Sequence, residues 1–353
     1  NVAIAHVYLF ELLIDKKGKM IYSIPPLNLD HIFRMSDERG FVQFADISTP
    51  DLSSGYALDD NARALIAMLH HYRLYETYED LGLIQKYLDF IGHCMQEDNT
   101  FLNYVDIYGN FTIQNQQENL EDANGRAVWA LGEVVGMANL LPERIVKLAI
   151  ELMERASKHA LVYFSTRSMA FTIKGLIFMN GKNYKAIIQA LADRLAAMFK
   201  HESSTDWQWY ESYMTYGNSV IPEAMLIAYE TTGDCRYRDI ACQSFDFLLS
   251  KIIVDNEVHV ISNKGWSQRD QPATKTRGGE QPIDVAYTII ALDRFYKFTR
   301  DEQYKRNIRI VFEWFLGRNH IRQIVYNPIT GGCFDGLEEH TININQGAES
   351  TIS

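Results

Sequence analysis

The sequence is short of cysteine, of basic charge and of long apolar runs. Its four cysteines are Cys94, Cys235, Cys242 and Cys333. Cys235 and Cys242 lie seven apart in a helical pattern, roughly 10 Å along the axis, which is too far for a disulfide. Neither a CxxC pair nor a His/Cys ligand spacing occurs, so no metal centre is expected and reduced thiols point to a cytoplasmic setting. Lys and Arg total 34 against 45 Asp and Glu, a net charge of −11. That balance excludes a phosphate-neutralising surface, and with it nucleic acid as a partner. No apolar run approaches the roughly 18 residues of a membrane span. The opening NVAIAHVYLFELLI lacks a basic leader and is interrupted by Glu11, so it does not read as a signal peptide. GxSxG, GxGxxG and P-loop motifs are missing as well, and no cofactor is expected.

What is present is a globular composition, 47% apolar and 22% charged. Aromatics reach 12%, beside many carboxylates. Ring faces that stack on pyranose C–H groups and acids that bind hydroxyls are what a sugar site needs, although aromatics also fill cores.

Two kinds of helical pattern alternate from about residue 58. Segments 82–96, 143–158, 184–199, 237–252 and 302–316 are amphipathic; in the second, Ile145, Leu148, Ala149, Leu152 and Met153 form one stripe. Segments 59–75, 122–138, 166–179, 218–231 and 282–298 are apolar nearly all round and therefore buried. A sixth buried start is NQGAEST at 345, and LNLDHIFRM (27–35) supplies a weak first outer helix. The starts are 44 to 65 residues apart, a helical hairpin plus a variable connection each time. This pattern predicts an all-α (α/α)6 toroid with short β-hairpins in its connections. Residues 1–26 read as an N-terminal extension and 27–353 as one toroid domain. Strand-like alternation is expected in 100–114, 255–280 and 321–344, all preceding inner helices and so gathered at one end.

Polar residues cluster at the inner-helix starts: Asp59, Asp60 and Arg63; Glu121, Asp122 and Arg126; Ser165 and Arg167; Glu223; Glu280, Gln281 and Asp284; Gln346 and Glu349. Helix capping accounts for the first member of each set. It does not account for the second acids, the arginines, or Asp284 and Glu349 one turn inside buried helices. Charges there must pair or line a wet cavity. The string TDWQWYESYMTYGNS (205–219) sets Trp207, Trp209 and Tyr210 beside Glu211, with Tyr216 following. It reads either as an acid among stacking aromatics or as a packing plug with Glu211 salt-bridged at its rim. Arg277, in TRGGEQP, is expected at the pocket rim.

The strings GYALDDNARALIA, WQWYESYMTYGNSVIPEAMLIA, GGEQPIDVAYTIIAL and YNPITGGCFDGLEEHTININQGAEST resemble a bacterial module of the six-hairpin glycosidase-like superfamily. The resemblance covers roughly 27–353. It implies an (α/α)6 toroid, a carbohydrate setting with a glycan as partner, and a glycosyltransferase as a possible attached or neighbouring partner. It also implies inversion as the usual stereochemistry and a site where the inner helices begin.

The leading expectation is a glycoside hydrolase with two carboxylates: Asp60 or Asp122 as base, Glu211 or Glu280 as general acid. Trp207, Trp209, Tyr210 and Tyr216 would stack the sugar, and Asp59, Arg63, Arg126, Arg277, Gln281, Asp284, Gln346 and Glu349 would complete the binding site. Epimerase or lyase chemistry on the same fold is the second reading, weakened because the inner-helix starts hold no His. A non-catalytic glycan-binding module is the third.

Overall fold

The computed structural model describes residues 24–270 and 278–353. Six inner helices, Leu58–Tyr75, Glu121–Gly136, Thr166–Leu176, Val220–Thr232, Pro282–Thr299 and Ala348–Thr351, alternate with six outer ones. The outer set is Asp30–Met35, Tyr78–Cys94, Glu143–Ala156, Lys182–Glu202, Cys235–Ile252 and Glu302–Glu313. Periodicity explains both kinds. Glu143–Ala156 buries Ile145, Val146, Ala149, Leu152, Met153 and Ala156 and leaves its charged side to water. Thr166–Leu176 is buried along its whole length. Helix starts follow capping chemistry where expected: Ser165 accepts from Ser168 N–H, and Thr77, Asp234 and Asp301 cap outer helices.

The second and third inner helices approach unusually closely because glycines face each other. A Cβ built on Gly132 would lie 2.3 Å from the Gly175 carbonyl oxygen, and one on Gly125 2.8 Å from that of Ser168. Below the inner-helix starts the axis is plugged by stacked groups. Arg126 lies over Phe171 at 4.9 Å and over Tyr216 at 5.5 Å, and its Nε donates to the Tyr287 hydroxyl. Trp129 stacks on Phe171 beneath, with centroids 5.7 Å apart.

Strands appear in the expected connections, as Tyr104–Val105 (β3), Glu257–Val258 (β6, paired with β5 at Ile253–Val254) and the pair β8–β9 at Gly336–Leu337 and Ile342–Asn343. They also appear where the sequence pattern did not place them. Val42–Asp46 (β1) and Thr49–Ala57 (β2) form a hairpin that β3 extends to a three-stranded antiparallel sheet. Tyr213–Met214 (β4) was likewise not foreseen, and it pairs with Ser267–Gln268 (β7) of the expected 255–280 connection. The hairpin was illegible because β2 breaks its own alternation: Leu52–Gly55 has no partner in the ladder, and Gly55 takes a left-handed φ of 68°.

This hairpin joins the first and sixth units. Ile47, at its turn, has φ 55°, a conformation costly for a β-branched residue. Its N–H donates to Asn345 Oδ1 at 2.9 Å and its carbonyl accepts from Gln346 N–H at 2.8 Å. His31, on the first outer helix, bonds the Gln346 carbonyl from Nε2 at 2.8 Å. Neighbouring inner helices thus pack in succession around the axis, and the last is tied to the first through β1.

Candidate functional site

The first inner helix begins without a side-chain cap of its own. Asn103, from the connection before the second inner helix, accepts the amides of Leu58 and Asp59 instead, through its carbonyl at 2.8 Å and Oδ1 at 3.1 Å. The carboxylates of Asp59 and Asp60 are therefore released from capping. Asp60 Oδ1 accepts from Arg63 Nη1 at 2.7 Å, and Asp59 Oδ2 from Arg63 Nη2 at 3.3 Å. Glu349, on the sixth inner helix, takes the same Nη2 at 2.7 Å. Arg126 Nη1 reaches Asp59 at 3.3 Å from the second inner helix. Acids from opposite ends of the chain converge on one buried guanidinium.

Above this cluster opens a cavity of about 360 Å³. Its walls include Asp59, Asp60, Glu280, Gln281 and Glu349, together with Asp335 and Glu338 from the last connection. The inner-helix acids come from three starts, the first, fifth and sixth. Three carboxylates share two guanidinium groups here, so the cluster favours holding a proton. Burial, reinforced by Asp59, pushes the Asp60 carboxyl well above the usual range. Glu349 keeps 35% of its side chain exposed and Asp59 22%, so these are its solvent-facing members. Asp335 is also raised by burial, while the Gly347 N–H that it accepts at 2.8 Å opposes the shift.

Glu280 is held from behind. Trp314 Nε1 donates to its Oε2 at 2.9 Å, and His320 Nδ1 lies 3.0 Å from Oε1. The other nitrogen of His320 bonds the Glu338 carbonyl at 2.9 Å, so the imidazole braces the wall. Gln281 lines the cavity, but Gln346 is buried, its amide oxygen bonded by the Thr330 hydroxyl. The sugar-binding role expected of Gln346 is thereby corrected to ring closure.

The aromatic string is corrected most. Trp207, Trp209 and Tyr210 are 6%, 0% and 0% exposed. Trp207 Nε1 donates to the Glu211 carbonyl, and Tyr210 shares a hydrogen bond with Ser244. They are packing residues and present no face to a sugar. Glu211 accepts from Arg167 Nη1 at 2.7 Å and from the Thr166 hydroxyl at 3.0 Å. Its oxygens are thus engaged by Arg167 and Thr166, and the plug reading holds. Asp122 accepts from the hydroxyls of Ser165 and Tyr216, and Tyr216 is wedged between Arg126 and Arg167. Neither lines this cavity. Asp284 accepts Gly217 N–H at 2.6 Å, and burial pushes its carboxyl up to about 7. Arg277 lies outside the described residues.

Residues missed by the sequence reading include Gln43 and Phe44 of β1, Tyr104 of β3, and Asp335 and Glu338. The acids stand in CFDGLEEHT, whose charge density was a usable signal. Phe44 had none, since the hairpin that carries it was not foreseen.

A second cavity of about 630 Å³ opens toward the other end of the inner helices, lined by His70, Trp129, Glu133, Lys174, Glu223 and Arg294 among others. Several of its charges are spent on one another. Lys174 Nζ sits 2.6 Å from Glu223 Oε2 and 3.8 Å above the Trp129 ring, and Arg294 pairs with Glu230 at 2.9 Å.

No helix among the described residues is long and apolar enough to cross a membrane. No family model matches the sequence, and no curated protein matches it. Solved structures do match by shape. Cellobiose 2-epimerase from Bacillus thermoamylovorans B4167 aligns over 100% of this chain and 97% of its own, with a TM-score of 0.69 at 13% identity. A D-mannose isomerase aligns over 92% of each chain, TM-score 0.64 at 15% identity. A family 76 α-mannanase from Bacteroides thetaiotaomicron aligns over 99% of this chain and 92% of its own, TM-score 0.61 at 10% identity. At such identities the likeness speaks for the fold alone, and the fold is an (α/α)6 toroid.

Proposed function

We propose that the chain is a carbohydrate-active enzyme that hydrolyses an oligosaccharide with the carboxylates at its inner-helix starts. The observation that carries this reading is the convergence of Asp59, Asp60 and Glu349 on Arg63 at the wall of a cavity. A glycosidase needs a protonated acid and an opposing carboxylate. Here Asp60 is assigned the proton, because burial and the Asp59 charge beside it push its carboxyl well above the usual range. Glu349, anchored by Arg63 and open to the cavity, is the opposing group.

Asp59 Oδ2 and Glu349 Oε2 bond the same Arg63 nitrogen at 3.3 and 2.7 Å, so the two solvent-facing carboxylates lie no more than 6.0 Å apart. His320, with its nitrogens turned to Glu280 and Glu338, is not presented as the base of an epimerase.

The test is a panel of neutral mannosides, glucosides and galactosides, read by release of reducing ends. Cleavage by the wild type, reduced about 10²–10⁴-fold in Asp60→Asn, supports the reading. Saturable binding without cleavage makes the chain a glycan-binding module, and conversion of the reducing sugar at C-2 makes it an epimerase or isomerase.

A further inference from the structure

β1 begins with Val42 buried and, two residues on, exposes Phe44 at 56%. Regular alternation puts residues i and i+2 on one face, so Phe44 should be buried as well. An irregularity intervenes. Val42 pairs with Tyr56 while Phe44 pairs with Asp51, and the intervening Leu52–Gly55 loops out of β2. The Ser54 hydroxyl oxygen takes the Phe44 N–H at 3.1 Å, and Gly55 allows the excursion at φ 68° with its Cα beside the Val105 carbonyl. Bulges of this kind re-aim side chains and collect beside active sites. Ala45 then takes the buried place, 5% exposed.

A single exposed phenylalanine is ordinary on a protein surface. This one lines the same cavity as Asp59, Asp60 and Glu349, and Tyr104 of β3 joins it there. The cavity walls otherwise carry mostly acids and small polar groups. We infer that Phe44, together with Tyr104 on the wall of the same cavity, is the stacking platform for the C–H face of an uncharged pyranose ring held against the carboxylate cluster. This rests on the carbohydrate reading above and adds the subsite and the substrate class. The ring face supplies apolar contact that the acids cannot, and the surplus of carboxylates over Arg63 disfavours a uronate or a phosphorylated sugar. Phe44 is a binding residue on this account and takes no part in proton transfer.

The experiment titrates the full chain with neutral mannose, glucose and galactose disaccharides and with a glucuronate-containing disaccharide, by calorimetry. Phe44→Ala should weaken the best neutral ligand about tenfold, the affinity of a half-covered aromatic side chain. Phe44→Leu should stay weak and Phe44→Trp should restore or tighten binding, with ligand-dependent indole fluorescence. Melting temperatures should match across the series, because the side chain is largely exposed. Wild-type binding that Phe44→Ala and Phe44→Trp leave unchanged overturns the platform while the carbohydrate reading stands. Tighter binding of the glucuronate ligand overturns the substrate class. Failure of the wild type to bind any sugar overturns both together.

Discussion

Arg63→Met tests how the acid cluster is held. The guanidinium accounts for three contacts, at 2.7 Å to Asp60, 2.7 Å to Glu349 and 3.3 Å to Asp59, and Arg63 is 6% exposed. Methionine keeps the apolar stem and removes the charge. Removing one partner of a buried ion pair costs about 3–5 kcal/mol. Glu349 and Asp59 are partly exposed and can rehydrate, so the lower figure applies, about 3 kcal/mol. With an unfolding entropy of about 2.1 cal/mol/K per residue, a chain of this length melts about 4 °C lower. The deficit depends on pH. Arg63 opposes the upward push on the Asp60 carboxyl, so without it that carboxyl rises further; the deficit therefore grows as pH climbs above the ordinary carboxylate range and narrows as pH falls toward it. Calorimetric melting of both proteins at pH 7.5 and 5 measures it. Arg63→Lys should fall between them, since one ammonium cannot bridge three carboxylates. A variant melting within 1 °C of wild type at pH 7.5, or a deficit independent of pH, refutes the reasoning.

Two further outcomes follow from the buried charges. Asp284, with its carboxyl pushed up to about 7 by burial, binds a proton more tightly folded than unfolded. Stability should therefore fall as pH rises from about 4 to 7 and level above that, and Asp284→Asn should flatten the slope in a melting series across this range. Lys174→Met leaves Glu223 in a site 2% exposed with only Arg294 nearby, at 3.5 Å. It should cost about 3 kcal/mol in urea titration, and an unchanged midpoint would mean that the second cavity hydrates Glu223 freely.

The toroid was legible because its signal is local. An inner helix such as Thr166–Leu176 is apolar around its circumference, an outer one such as Glu143–Ala156 is striped, and the contrast repeats. Asp60 and Glu349 were legible as charge that capping could not absorb, whereas Asp59 read first as a cap and Asn103 takes the first amides of that helix instead. Glu211 misled because its partner, Arg167, stands 44 residues away, and adjacency to Trp207 and Trp209 in sequence does not tell which way those rings face. Phe44 was invisible for a related reason. Its exposure depends on the register between β1 and β2, set by an excursion at Leu52–Gly55 that no periodicity reports.

The central claim is hydrolysis by the cluster around Arg63, and its most direct test is proton NMR of a cleavable neutral disaccharide incubated with the enzyme in D2O. The account predicts loss of the glycosidic anomeric signal, appearance of the signals of a new reducing end, and no deuterium at C-2. It also predicts a rate about 10²–10⁴-fold lower in Glu349→Gln. Deuterium entering C-2 while the glycosidic bond stays intact would contradict it.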